Sequence, residues 1–318
     1  MATFKDYIRI ARPDHWVKHI FIIPGIALAC LLVNDQNPNL IRAIVLGFFS
    51  ACLVASANYV LNEWLDAQFD IYHPIKKNRP AACGKLKASY VYWEYILLIT
   101  AGLILAWLVG KLFFSTSVVL LMMGVIYNVK PLRAKDRVFV DVLTESVNNP
   151  LRLMLGWSMV SNSTIPPSSL FVFYWFGGAF LMGAKRLAEY RYISKQDKLE
   201  DLKKYRKSFE FYTENSLLVS SVLYGFVSAF FIAAFLIKYR NEYLFVFPVF
   251  AILFAYYLSM SLKDVSIAQT PEKLHKDKRL VSIVIGLVIL LVVFTYVDVP
   301  LAQRIIGSGE QRINYWFW

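Results

Sequence analysis

The chain has 318 residues, 58% of them hydrophobic, with a mean hydropathy of +0.49 and a formal net charge of +12. An ordinary soluble domain is closer to half apolar, so this composition excludes a plain globular enzyme, and it equally excludes a disordered, charge-rich chain. Its three cysteines and four histidines are scattered without ligand or redox spacing, which excludes a disulfide scaffold and does not suit zinc.

The apolar excess is gathered into blocks at 17–33, 41–61, 89–109, 112–128, 138–160, 169–184, 216–237, 243–262 and 280–297. Most approach the roughly 20 residues that a bilayer-spanning helix needs. The expectation is an all-α polytopic membrane bundle of about nine transmembrane helices, a single domain over 1–318. The block at 112–128 is short, and that at 138–160 is unusually polar. No small-residue cleavage site closes the first block, so a removable signal segment is not expected.

In chain order, "RPDHWVKH" (12–19) leads into the first block. Trp16 suits the membrane interface. Lys18 serves either the orientation of the chain or contact with an anion. After the second block comes "NEWLDAQFDIYHPIKKNRP" (62–80). Asn58, Asn62, Asp66 and Asp70 recur every four residues, a slowly drifting stripe on a helix, and Glu63 joins Asp66 and Asp70 on the same side. Carboxylates so crowded repel one another unless a cation intervenes. Magnesium takes a few carboxylate oxygens and completes its shell with water and substrate phosphate. Asn62, Asp66 and Asp70, helped by Glu63, are therefore the expected metal and catalytic residues, and Lys77 and Arg79 the nearby phosphate ligands.

In the fifth block, Asp141, Glu145, Asn148 and Arg152 follow i, i+4, i+7, i+11 and predict one polar helix face. Ionisable groups inside a membrane line a cavity or pair with one another, so Asp141 and Arg152 are candidate substrate-binding residues or a structural pair. At the end of the sixth block, Lys185, Arg186 and Glu189 stand at the membrane boundary, where the two cations suit phosphate oxygens. Asp197 and Asp201, four apart, are either a second acidic pair or part of a charged loop. The last three blocks carry no comparable motif, and the terminal "NYWFW" reads as an interfacial aromatic anchor.

Most of the 34 lysines and arginines fall before the first block and in the connections after blocks two, four, six and eight. This alternation obeys the positive-inside rule. It predicts a multi-pass protein of a bacterial-type plasma membrane, with its N-terminus cytoplasmic and its C-terminus outside. It also assigns the positive charge to orientation and phosphate binding, not to nucleic acid.

These residues resemble the UbiA superfamily of intramembrane prenyltransferases. Its first motif, N-D-x-x-D-x-x-x-D, is matched by Asn62, Glu63, Asp66 and Asp70, with Glu replacing the first Asp. Its Y-x-x-x-P-L-R-x-K connection is matched by Tyr127, Pro131, Leu132, Arg133 and Lys135, and its D-x-x-x-D motif by Asp197 and Asp201. Within the superfamily the chain is similar to the decaprenyl-phosphate phosphoribosyltransferase branch. That branch has R-P-x-x-W-V-K (Arg12, Pro13, Trp16, Val17, Lys18). It continues with D-x-x-H-P-x-K-x-x-R-P-x-A-x-G (Asp70, His73, Pro74, Lys76, Arg79, Pro80, Ala82, Gly84) and K-R-x-x-E (Lys185, Arg186, Glu189).

The resemblance implies a nine-span fold and magnesium-dependent transfer of a 5-phosphoribosyl group from phosphoribosyl diphosphate to a polyprenyl phosphate. It adds Tyr127 and Lys135 to the substrate-binding set. The alternatives are an aromatic or quinone-precursor prenyltransferase of the same fold using an isoprenyl diphosphate, and a transporter whose polar stripe is an ion path.

Overall fold

The computed structural model describes residues 3–34, 37–73, 75–196, 199–263, 266–269 and 271–300, and among them every regular element is helical. The α-helices are α1 (Phe4–Ile10), α2 (Ile23–Leu32), α3 (Leu40–Asp70), α4 (Ala88–Val109), α5 (Lys111–Asn128), α6 (Val140–Ser146), α7 (Asn148–Val160), α8 (Ser168–Ser194), α9 (Leu199–Tyr205), α10 (Glu214–Tyr239), α11 (Phe247–Ser261) and α12 (Lys278–Tyr296). A 3-10 segment, Pro13–Ile22, joins α1 to α2. The aromatic tail lies outside the described residues.

Seven segments among the described residues are long and apolar enough to cross a bilayer: Phe4–Leu32, Leu40–Asp70, Ala88–Val109, Lys111–Asn128, Glu214–Tyr239, Asn241–Ser261 and Lys278–Tyr296. The protein is a multi-pass membrane bundle. The two remaining expected spans differ for identifiable reasons. The block at 138–160 is cut at Val147 into α6 and α7. Pro150 has no N–H to give the carbonyl of Ser146, and its ring crowds that turn. The block at 169–184 lies on α8, whose later turns carry Lys185, Arg186, Glu189 and Arg191.

Apolar packing forms two main cores. One joins α3, α4, α5 and α7 with Ile22, around Ala51, Val54, Ala106, Phe113 and Leu155. The other joins α6, α8, α10, α11 and the start of α12, around Ala179, Phe180, Tyr224 and Tyr257. The first half is drawn tight where α2 crosses α7. A Cβ on Gly25 would stand 2.1 Å from the carbonyl oxygen of Leu153, and one on Gly156 would stand 2.1 Å from that of Ile22. Small residues permit such backbone approach between membrane helices.

At 31 residues, α3 is about 46 Å long, against a hydrocarbon thickness of about 30 Å. Its apolar part consumes that thickness, so the turns from Asn62 to Asp70 emerge at one end of the bundle. There they meet the connections 71–87, 129–139 and 195–213.

Candidate functional site

The acids of α3 are each paired with cations, Arg79 being shared by Glu63 and Asp70. Glu63, Asp66 and Asp70 are 2%, 9% and 0% exposed. Glu63 Oε2 accepts from Arg12 Nε at 3.3 Å and Nη2 at 3.0 Å, with Arg79 Nε at 3.8 Å. Asp70 Oδ2 accepts from Arg79 Nη1 at 2.5 Å. Asp66 Oδ1 accepts from Lys135 Nζ and from Arg133 Nη2, the latter at 3.2 Å. Asn62 donates to Asp66 Oδ2 at 3.3 Å and to Asn128 Oδ1 at 2.6 Å, and Lys135 donates to the same Asn128 oxygen at 2.7 Å. The crowding expected of three neighbouring carboxylates is thus relieved by four cations from other segments. Two acid oxygens, Glu63 Oε1 and Asp70 Oδ1, are buried without a hydrogen-bond partner. Among the described residues, no three His, Cys, Asp or Glu side chains form a group able to hold a metal by themselves.

Two of those cations sit on strained backbone. Arg12 has φ +50° and Arg133 has φ +30°, the left-handed region that non-glycine residues avoid. Each directs its guanidinium at the α3 motif, and such outliers gather at functional sites.

Facing this group is a second wall built from α6, α8 and the connections. Arg186 Nη2 donates to Glu145 Oε2 at 3.1 Å and Nη1 to Glu189 Oε2 at 3.4 Å, while Nε lies 3.6 Å from Asp141 Oδ2. Tyr127 donates its hydroxyl proton to Glu145 Oε2 at 2.7 Å and accepts from Arg206 Nη1 at 3.1 Å. His73 Nδ1 accepts the backbone N–H groups of Ile75 and Lys76, so Nε2 carries the proton and donates to Glu189 Oε1 at 3.3 Å. Lys76 bonds the Tyr205 hydroxyl and sits 4.3 Å from that ring's centroid. The charge of Lys185 is felt by Glu145, Lys76, Arg186 and Glu189.

Between the walls lies a polar recess lined by Asp66, Phe69, Arg133, Lys135, Asp136, Tyr205, Arg206 and Lys207. Burial pushes Lys76 down to about 7, against the pull of Glu189, and pushes Lys135 down to about 8, against the pull of Asp66. Lysines held this way gain from an added anion, which favours their charged form.

The structure brings together most of the sequence-derived set: Asn62, Glu63, Asp66, Asp70, Arg79, Tyr127, Lys135, Asp141, Lys185, Arg186 and Glu189. Other positions differ. Lys77 is exposed, and its neighbour Lys76 takes the inward position. Lys18 Nζ donates to His15 Nδ1 at 3.2 Å, on the 3-10 segment. The face expected from Asp141 to Arg152 is divided by the break at Val147: Asp141 and Glu145 meet Arg186, while Arg152 Nη1 donates to Asn149 Oδ1 at 3.4 Å within α7. Asp201 is half-buried on α9 and is not part of the recess lining. Asp197 lies outside the described residues.

Sequence reasoning passed over Arg12, Lys76 and Arg133 as site members, although all three stand in the quoted patterns. It also passed over Asn128, Tyr205 and Arg206. The last two belong to a lysine- and arginine-rich run that reads as a solvated loop until its inward contacts are seen.

A model of the UbiA prenyltransferase family matches residues 21–283. The nodulation protein NoeC of Azorhizobium caulinodans is 28% identical over 234 residues, covering 73% of this chain and 72% of that protein. A decaprenyl-phosphate phosphoribosyltransferase of Mycolicibacterium smegmatis is 26% identical over 212 residues, covering 66% of this chain and 63% of that protein. Among solved structures, a UbiA homolog from Archaeoglobus fulgidus bound to DMAPP and Mg2+ has a TM-score of 0.68 at 18% identity, over 92% of this chain and 100% of that one. That likeness shows a shared fold.

Proposed function

The chain belongs to the UbiA prenyltransferase family, and on that premise we propose that it transfers a 5-phosphoribosyl group from phosphoribosyl diphosphate to a polyprenyl phosphate. The observation that carries this choice of donor is the wall opposite α3. A site built around two acidic motifs would place carboxylates there to hold a second metal. Here the carboxylates of that wall, Asp141, Glu145 and Glu189, are already tied to Arg186, and Lys76, Lys185 and Arg206 stand beside them. Phosphoribosyl diphosphate and the lipid phosphate together bring more anionic oxygens than an isoprenyl diphosphate with a neutral aromatic acceptor. A richer set of cations matches that load.

Magnesium fits the donor set of α3. It binds through one or two carboxylates and keeps water and phosphate oxygens for the rest of its shell, so it does not need a triad of acids. Asn62, Asp66 and Asp70 offer hard oxygens along one face, and Asp70 Oδ1 is buried without a partner. When bound, the metal neutralises charge on the diphosphate. Glu63, gripped by Arg12 and Arg79, fixes those two guanidiniums beside the motif.

The chemistry then asks little of acid–base groups, because a phosphate oxygen is already an anionic nucleophile. Lys135, Arg133 and Arg206 at the recess stabilise negative charge that builds on the leaving diphosphate as the anomeric C–O bond lengthens. Lys76, Lys185 and Arg186 hold the remaining phosphates in line. Glu145 and Glu189 keep Arg186 in place, and the carbon centre passes through oxocarbenium character. The lipid phosphate arrives from the bilayer side. The soluble donor arrives from the end where α3 emerges, which on the charge alternation is the cytoplasmic end of a plasma-membrane protein.

The reading is tested by incubating purified protein with magnesium, polyprenyl phosphate and phosphoribosyl diphosphate labelled in the ribose. Label must pass into the organic phase. Label that stays aqueous while a labelled isoprenyl diphosphate is consumed with an aromatic acceptor would assign the chain to the aromatic prenyltransferases.

A further inference from the structure

Asp141 opens α6 with a side chain that is 0% exposed, and it is not part of the recess lining. Each of its oxygens accepts one hydrogen bond from the protein. Oδ1 accepts from the Tyr212 hydroxyl at 2.6 Å. Oδ2 accepts from Ser208 Oγ at 3.2 Å and faces Arg186 Nε and Arg206 Nη1, each at 3.6 Å. Two hydroxyls hydrogen-bond the carboxylate, and two guanidiniums stand at ion-pair distance from Oδ2.

Three of the four partners, Arg206, Ser208 and Tyr212, come from one short stretch between α9 and α10. Tyr212 also accepts the Phe139 N–H at 2.7 Å and packs edge-on against its ring at 5.5 Å. Phe139 has φ +62°, a costly conformation for an aromatic residue, which surrounding contacts must hold. The same stretch delivers Arg206 and Lys207 to the recess.

We propose that Asp141 is a positioning residue: it clamps the 206–212 stretch across the end of the bundle and thereby fixes Arg206 at the recess, while Arg186 is held in its place by Glu145 and Glu189. The consequence for ligand binding rests on the reading above, that the recess receives a phosphorylated donor. The clamp itself rests only on the contacts just described. A buried carboxylate between two guanidiniums, with two hydroxyls donating to it, sets their spacing. Its loss leaves two cations facing each other.

The test uses the full chain in lipid nanodiscs and two readouts. The first is calorimetric binding of inorganic diphosphate with magnesium to wild type, Asp141→Asn, Arg206→Ala, the double variant and Tyr212→Phe. Asp141→Asn should weaken binding about tenfold, the scale of one lost charge-assisted contact. Tyr212→Phe should weaken it in the same direction. The double variant should bind no more weakly than Arg206→Ala alone, because Asp141 acts through Arg206. The second readout is amide hydrogen exchange. Residues 199–212 should exchange faster in Asp141→Asn and Tyr212→Phe, while α10 and α12 are unchanged.

Wild-type affinity in Asp141→Asn and Tyr212→Phe, or losses that multiply in the double variant, would overturn the positioning role. Exchange that is unchanged at 199–212, or faster throughout α10 and α12, would overturn the clamp. If wild type binds no diphosphate, the functional reading falls, and the exchange result alone then decides the clamp.

Discussion

Lys76 and Lys77 are adjacent in the sequence and differ in what they touch. Lys76 reaches Tyr205 in the second wall, while Lys77 is exposed. Lys76→Ala is expected to raise the Michaelis constant for the donor about tenfold, equivalent to roughly 1.4 kcal/mol, and Lys77→Ala to leave it within about twofold. Equal effects would place both side chains in solvent. The same contrast carries a pH signature. Burial lowers Lys76 to about 7, from an ordinary value of 10.5. Between those values the folded protein without ligand binds fewer protons than the unfolded chain, so this residue makes folding more favourable as pH rises through that window. Anion binding runs the other way, since the ammonium is lost over the same range. The donor constant should therefore climb from about pH 6 to about pH 8 in wild type, and the slope should flatten in Lys76→Met. A slope that persists in Lys76→Met would assign it to another group.

Asp66 and Asp70 make the corresponding acidic test. Each is buried against a cation. Asp66→Asn leaves Lys135 and Arg133 facing a neutral amide, a change that costs about 3–5 kcal/mol when a buried pair is broken. Both Asp66→Asn and Asp70→Asn should lower turnover at least about a hundredfold at saturating magnesium while the protein still inserts. The Asp66 variant should also melt earlier. Near-normal turnover in either would remove that residue from the proposed metal and diphosphate site.

At the scale of elements, α3 was the most legible part of the chain. An apolar run long enough to cross the membrane, continued by acids at four-residue spacing, reads as a helix that carries its acids past the end of the apolar layer. In the fifth block the periodicity runs on across Pro150, but the helix is interrupted at Val147. The i+7 and i+11 residues of the expected face, Asn148 and Arg152, belong to α7, where Arg152 meets Asn149 and not Arg186. Periodicity also cannot report long-range pairing. Nothing local says that Arg12 reaches Glu63, or that Arg206 reaches Tyr127 across 79 positions. Asp201 is half-buried on α9, and Asp197 lies outside the described residues. The crossing of α2 and α7 was equally invisible, since a glycine in an apolar run gives no sign of what it meets. Gly156→Ala places a Cβ into the Ile22 carbonyl, and overpacking of this kind costs about 1–3 kcal/mol. A lower melting temperature with an unchanged donor Michaelis constant is expected. An unchanged melting temperature would mean the crossing is looser than described.

Over the whole molecule, two apolar cores hold two groups of helices, and the charged side chains of both groups meet at the end where α3 emerges. Four of the expected long spans appear in the first group, counting Phe4–Leu32, and three in the second. The number of helices was therefore easier to anticipate than their continuity. The site draws on α3, α5, α6 and α8, on Arg12 after α1 and on three later connections, so no single segment carries it. That division of labour explains why an acidic motif and a basic motif, each readable alone, gave no sequence-level account of how they face each other. Chelation with excess EDTA should abolish transfer and added magnesium should restore it, because the α3 ligands are hard oxygens. Full turnover in EDTA would take the metal out of the mechanism.

The central claim concerns the donor. The most direct measurement offers purified protein both phosphoribosyl diphosphate and an isoprenyl diphosphate, with polyprenyl phosphate, 4-hydroxybenzoate and magnesium in one reaction, and reads the lipid products by mass spectrometry. The account predicts that polyprenyl phosphate gains the mass of a phosphoribosyl group and that the aromatic acid is unchanged. A prenylated aromatic product with unaltered polyprenyl phosphate would contradict it.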